Sequence, residues 1–276
     1  MITARRGVAV VVVVALALGV VVACQQRRGP DPTLETISAE TGPFAIEQAS
    51  VGSGHGFARG TIYYPTDTSQ GDFGVVAVVP GFLSPESTIA WYGPRVASQG
   101  FVVITIEPTS VFDDPAGRAV QLQAALDYVT TESVVQDRVD PERLAVMGWS
   151  MGGGGSLVAA EANPEIDAVV PLAPWHASAE WSGVDQPTLV VGCEDDTVAP
   201  VGTHAEPFYE SLSGEKAYLE IADGAHGCVI SPDTTIARSV IAWLKRWVDG
   251  DTRYAQFLCP PPSGATISEH RDTCPY

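Results

Sequence analysis

Short runs of β-branched and other apolar residues recur along the chain at 74–80 (GVVAVVP), 101–106 (FVVITI), 143–149 (RLAVMGW), 166–172 (IDAVVPL), 187–192 (PTLVVG) and 216–221 (KAYLEI). Their nearly continuous apolar character suits strands covered on both faces, since a strand with one wet face alternates apolar and polar side chains. Helix-like stretches lie between several of them, at 87–98, 117–130, 156–162, 204–212 and 234–249. Alternation of strand and helix predicts an α/β fold, a mostly parallel sheet with helices on both faces. Two earlier runs, 44–51 and 57–64, are expected to add antiparallel edge strands. No repeat and no break in composition interrupts residues 44–276, which read as one domain.

The first residues carry a different pattern. Arg5 and Arg6 precede an apolar run from Val8 to Ala23, which suits a signal-peptide core and is shorter than the roughly 20 residues of a membrane span. Residues 1–23 are therefore expected to direct export and to be removed. Val21-Val22-Ala23-Cys24 has the form of a bacterial lipoprotein box, in which Cys24 is lipidated and becomes the new N-terminus; ordinary cleavage nearby is the alternative. Residues 24–43, polar and proline-rich, read as a tether.

Composition narrows the classes. A hydrophobic fraction of 45% in 276 residues is enough for a core and excludes a disordered chain. With 15 Lys+Arg against 33 Asp+Glu the formal charge is -18, and only Lys216 and Lys245 are lysines. Nucleic acid is a poor partner for such a surface, because phosphate backbones are held by clustered cations. The acidity is read as a solvated coat around a monomer. The chain has five cysteines; lipidating Cys24 would leave four to pair in an oxidising compartment.

Candidate chemistry begins at Gly148-Trp149-Ser150-Met151-Gly152. G-x-S-x-G is weak as a bare pattern. Placed between a buried strand and a helix it is a nucleophile elbow, the turn that lifts a serine above the sheet of an α/β-hydrolase fold. Gly152 to Gly155 lacks the Lys-Ser/Thr that would make it a phosphate loop. In this fold the acid and then the histidine follow on loops after later strands. Cys193-Glu194-Asp195-Asp196 offers three carboxylates after PTLVVG; Asp196 is preferred, with Asp195 as the alternative. Of five histidines, His55 precedes the serine, His176 and His204 precede the last strong strand, and His270 lies in the tail. His226 alone lies in the loop directly after that strand, flanked by glycine. Oxyanion donors are expected from the backbone N–H of Met151 and of Phe82, the latter in the loop after GVVAVVP. A Cys193–Cys228 bridge would tie the acid loop to the histidine loop, and Cys259–Cys274 would close a small C-terminal loop; other pairings remain open. Only a short stretch separates IDAVVPL from PTLVVG, too little for a cap domain. The resulting cleft is expected to be shallow and apolar, open to a long chain.

From Gly42 to the end the sequence resembles the bacterial polyester hydrolases, the actinomycete cutinases and the PET hydrolases (PETases) related to them. The resemblance rests on PGF followed by STIAWYG, FVVITIE, RLAVMGWSMGGGGS, PLAPWH, DTVAPVGTHAEPFY and AWLKRWVDGDTRYAQFLCP. It implies a serine esterase acting on polyesters and short esters, with Ser150, Asp196 and His226 as the catalytic triad and no cofactor. It also implies Trp175 as an aromatic wall for substrate, with His204 and Phe208 behind it. Trp149 and the Cys193/Cys228 pair resemble the PETases, whereas His204 and Phe208 resemble the cutinases. Some cutinases carry a calcium carboxylate four residues before the catalytic histidine, where this chain has Ala222. A small-ester carboxylesterase without polymer activity is the second reading, and a non-catalytic surface lipoprotein the third.

Overall fold

The structure is a computed structural model that describes residues 28–276. The expected signal segment 1–23 and Cys24 lie outside the described residues. In chain order the elements are α1 (Leu34–Ser38), β1 (Ile46–Val51), β2 (Arg59–Pro65), β3 (Phe73–Val79), α2 (Tyr92–Ala97), β4 (Phe101–Glu107), α3 (Pro115–Thr131), β5 (Val139–Trp149), α4 (Met151–Ala162), β6 (Ile166–Leu172), β7 (Thr188–Cys193), α5 (Ala205–Ser211), β8 (Lys216–Ile221), α6 (Thr234–Trp247) and β9 (Ile267–Asp272). One nine-stranded sheet runs β1-β2-β4-β3-β5-β6-β7-β8-β9. The six strands from β4 to β8 are parallel, and β1, β2 and β9 pair antiparallel at the edges. This is the α/β-hydrolase fold.

The apolar runs divide by the period of two that a strand imposes. In β3, Val75, Ala77 and Val79 enter a core shared with α3, α4 and α5, while Val76 and Val78 enter one shared with α1, α2 and α6. β4 and β5 split the same way, with Ile104 and Val146 on the first side and Val103 and Met147 on the second. Both faces are therefore dry, and that is why these strands read as continuous rather than alternating.

Three features differ from the sequence expectation. The helix expected at 87–98 contracts to α2, preceded by a 3₁₀ turn at Glu86–Thr88. Pro94 explains this, because a residue without an N–H is tolerated only in the first turn and the helix must start just upstream of it. The helix expected from Ser156 begins five residues earlier and takes in the whole glycine run. The expected tether does not hang free from residue 28 onward. Thr33 caps α1, Ile37 is buried against α6, and Arg28 forms an ion pair with Asp249 at 3.5 Å. Among the described residues no helix is long and apolar enough to cross a membrane.

Candidate active site

Ser150 occupies the turn between β5 and α4 with φ 57° and ψ -119°. A non-glycine residue in this region is strained and is held by its surroundings. The Ser150 N–H donates to Leu172 O (2.9 Å), and its carbonyl accepts from Gly154 (3.0 Å) and Trp175 (2.8 Å). Side chains on the flanking glycines would collide with backbone: a Cβ on Gly148 would lie 2.1 Å from Gly152 O, and one on Gly152 2.5 Å from Val79 O. Glycine at these positions lets strand, turn and helix close around the serine.

The loop after β7 brings in Asp196 and the loop after β8 brings in His226. His226 Nε2 lies 2.9 Å from Ser150 Oγ, and its Nδ1 lies 2.7 Å from Asp196 Oδ2. Asp196 Oδ1 accepts from the N–H groups of Val198 and Ala199, both at 2.8 Å. Burial alone would raise the Asp196 carboxyl, but the His226 bond and the two N–H donors outweigh it and hold the group below its ordinary range. Asp195, the alternative acid, is exposed and turned away; its N–H donates to Gly224 O. The Trp149 indole donates to His226 O at 3.0 Å and so fixes the histidine loop from the serine's side. Cys193 is disulfide-bonded to Cys228, joining the loops of Asp196 and His226, and Cys259 to Cys274.

Met151 follows Ser150 directly, and Gly81, the neighbour of Phe82, packs on it: a Cβ there would lie 2.8 Å from Ser150 Cβ. Met151 opens α4, where the first N–H groups have no intrahelical acceptor. Among the described residues neither the Met151 nor the Phe82 N–H donates to a backbone carbonyl. The Phe82 ring is 42% exposed and meets the edge of Phe112, itself 69% exposed, at 5.9 Å. On the other side Trp175 stacks with His204, ring centroids 6.2 Å apart. Burial holds the His204 imidazole below its usual range, which favours the uncharged ring. Phe208 is fully buried behind His204, at 5.9 Å, so it supports that ring from below and is not itself exposed to the cleft. Sequence reasoning missed Phe112; the only signal was a large aromatic in the polar loop that follows β4.

Among the described residues no metal ligand set stands beside Ser150. Ala222 offers no carboxylate where some cutinases have a calcium ligand, and Glu194 nearby accepts the Asp223 N–H (2.9 Å), so these residues do not fit that ion. Elsewhere Glu206, Glu220 and Glu269 approach one another, but their oxygens already accept from Arg271, Ser268 and Tyr218. A 490 Å³ cavity bordered by Trp91, Arg95 and Pro232 includes none of the Ser150 neighbours.

A mostly parallel sheet with a serine elbow at the end of its central strand defines the class, the α/β-hydrolases. Within it, the chain belongs to the PET hydrolase-like family, whose model matches residues 22–275. It is 52% identical to bis(hydroxyethyl) terephthalate hydrolase of Streptomyces coelicolor, over 91% of this chain and 82% of that protein. It is 46% identical to a cutinase of Thermobifida fusca, over 100% of this chain and 94% of that one. It is also 48% identical to cutinase 1 of Thermobifida cellulosilytica, over 91% and 98%. The protein is a carboxylic ester hydrolase.

Proposed function

We propose that the protein hydrolyses polyesters, aliphatic and aromatic, together with short-chain esters, through an acyl-enzyme on Ser150. The observation that carries this is the unbroken chain of hydrogen bonds from Asp196 through His226 to Ser150. Ser150 Oγ attacks the ester carbonyl while His226 Nε2 takes its proton. The tetrahedral oxyanion receives the N–H groups of Phe82 and Met151. Collapse expels the alcohol, which takes the proton back from His226, and leaves the acyl group on Ser150. Water, deprotonated by His226, then attacks the acyl-enzyme, and breakdown of the second intermediate releases the acid and restores the serine. Asp196 holds Nδ1–H in place throughout and stabilises the imidazolium.

Polymer as substrate is supported by the absence of a cap between β6 and β7 and by the exposed rings of Phe82, in the loop that packs on Ser150, and of its partner Phe112. Trp175, backed by His204 and by Phe208, gives the acyl part a flat wall. Export of the enzyme, with Cys24 as a lipid anchor, is supported by the apolar run before Cys24 and by the two disulfides, which need an oxidising compartment. Ser150→Ala is expected to abolish hydrolysis of a short p-nitrophenyl ester, and retained activity would refute the assignment. Soluble products from a polyester film distinguish a polymer hydrolase from a small-ester carboxylesterase, which would release none.

A further inference from the structure

Arg118, on the first turn of α3, is fully buried. Its Nη2 donates to Gly81 O at 3.0 Å and to Val111 O at 3.2 Å. Its Nε and Nη1 are buried with no hydrogen-bond partner among the described residues, and the carboxylates of Asp113 and Glu107 act on it only through their charge. A buried guanidinium with unmatched donors is a costly means of fastening a loop, since desolvating the charge weighs against stability. The site of attachment supplies a reason.

Gly81 O and the Phe82 N–H belong to one peptide plane, in which a trans peptide points them in opposite directions. A donor fixed on Gly81 O therefore sets where the Phe82 N–H points, and polarises that N–H as a donor. The second acceptor extends the grip. Val111 O also takes the N–H of Leu83 (2.8 Å), a residue at φ 58°, so one guanidinium holds both sides of Phe82. The same loop is pressed on the serine: a Cβ on Gly81 would sit 2.8 Å from Ser150 Cβ. The stem of Arg118 is seated by the helix that carries the serine turn, because a Cβ on Gly155 would come within 2.6 Å of Arg118 Cβ.

We propose that Arg118 is a positioning residue for catalysis, a buried cation that aims and strengthens the Phe82 oxyanion donor by holding the other end of its peptide. This rests on the triad reading above. Removing an oxyanion donor outright costs about 100- to 1,000-fold in kcat, and leaving one present but unaimed costs less. Arg118→Met and Arg118→Gln are each expected to lower kcat on a soluble p-nitrophenyl ester by about 10- to 100-fold, with KM within about twofold of wild type. Arg118→Lys, which keeps the charge and a donor, is expected to recover part of the loss.

A trifluoromethyl ketone forms a tetrahedral adduct on the serine and loads the oxyanion site. Its inhibition constant is expected to weaken in step with kcat, while affinity for a planar carboxylate product stays unchanged. A merely structural role would not produce that split. If kcat stays within about twofold of wild type in both uncharged variants, or falls with no change in ketone affinity, the proposal is overturned. Should the methionine variant fail to accumulate, the glutamine variant decides. Ser150→Ala, assayed in parallel, separates the two levels: an active Ser150→Ala refutes the triad itself, whereas an inactive one beside unimpaired Arg118 variants refutes only the positioning role.

Discussion

Phe112 shows how a single side chain can matter to one substrate and be indifferent to another. Its ring partner is Phe82, edge to face at 5.9 Å, and it takes no part in the hydrogen bonds that join Ser150, His226 and Asp196. A soluble ester held at the serine does not reach it, whereas a polymer lying across the rim buries both rings. An aromatic contact of this kind contributes about 0.5–1.5 kcal/mol beyond its area. Phe112→Ser is therefore expected to reduce product release from a polyester film by roughly 2- to 10-fold and to leave kcat/KM on p-nitrophenyl acetate unchanged. An equal loss on both substrates would mean that Phe112 supports the Phe82 loop instead.

At the level of elements, β5 leads into the serine turn, and its pairing with β6 slips between Leu144 and Ala145. Asp167 fills the irregularity, accepting the Leu144 N–H at 2.8 Å. Burial outweighs that bond and raises the Asp167 carboxyl to about 6. An acid raised on folding prefers its protonated form in the folded state, so it costs nothing below its unfolded pKa near 4 and the full amount above about 6. Asp167→Asn, which keeps the acceptor, is expected to be more stable than wild type at pH 8 by about 1–2 kcal/mol, reduced for partial exposure, and equal to it at pH 3.5. Urea denaturation at the two pH values measures this, and a gain that does not vary with pH would exclude the titration. The parallel strands were legible in the sequence because burial on both faces leaves a continuous apolar run, and Ser150, Asp196 and His226 because the chain order of the fold is fixed. The start of α4 was not. Gly152 to Gly155 are poor helix formers, each costing about 1 kcal/mol, and tertiary contact overrides that preference. Side chains there would strike Val79 O, Pro174, Trp175 O and Arg118 respectively, so the run is the socket into which the loops around the site fit. Strand β9 was likewise illegible, being short, polar and recognisable only by its pairing with β8.

Across the whole molecule, the long-range ties are the two disulfides and a buried charge cluster that fastens the N-terminal segment to the far end of the domain. Asp249, at 2% side-chain exposure, takes Lys245 at 2.7 Å, Arg143 at 3.0 Å and Arg28 at 3.5 Å. Arg95 donates to the carbonyls of Ile37 (3.2 Å) and Ser38 (3.1 Å), and Gln99 to that of Thr36 (3.2 Å). Composition suggested a tether because polar residues and prolines dominate it; the anchoring residues are few, and their partners lie far away in sequence. Removing residues 28–43 would uncover the surface that Ile37 covers, strand the Arg95 donors and leave Asp249 with two cations. Losing one buried aliphatic side chain and several buried hydrogen bonds costs about 2–4 kcal/mol in all, or roughly 6–12 °C for a domain of this size. A chain beginning at residue 44 is therefore expected to melt that much lower than one beginning at residue 25, with the same kcat per folded molecule at 25 °C, because Arg95, Gln99 and Asp249, which hold the segment, are not part of the Ser150 cluster. Equal melting temperatures for the two chains would show that the segment is only a tether after all.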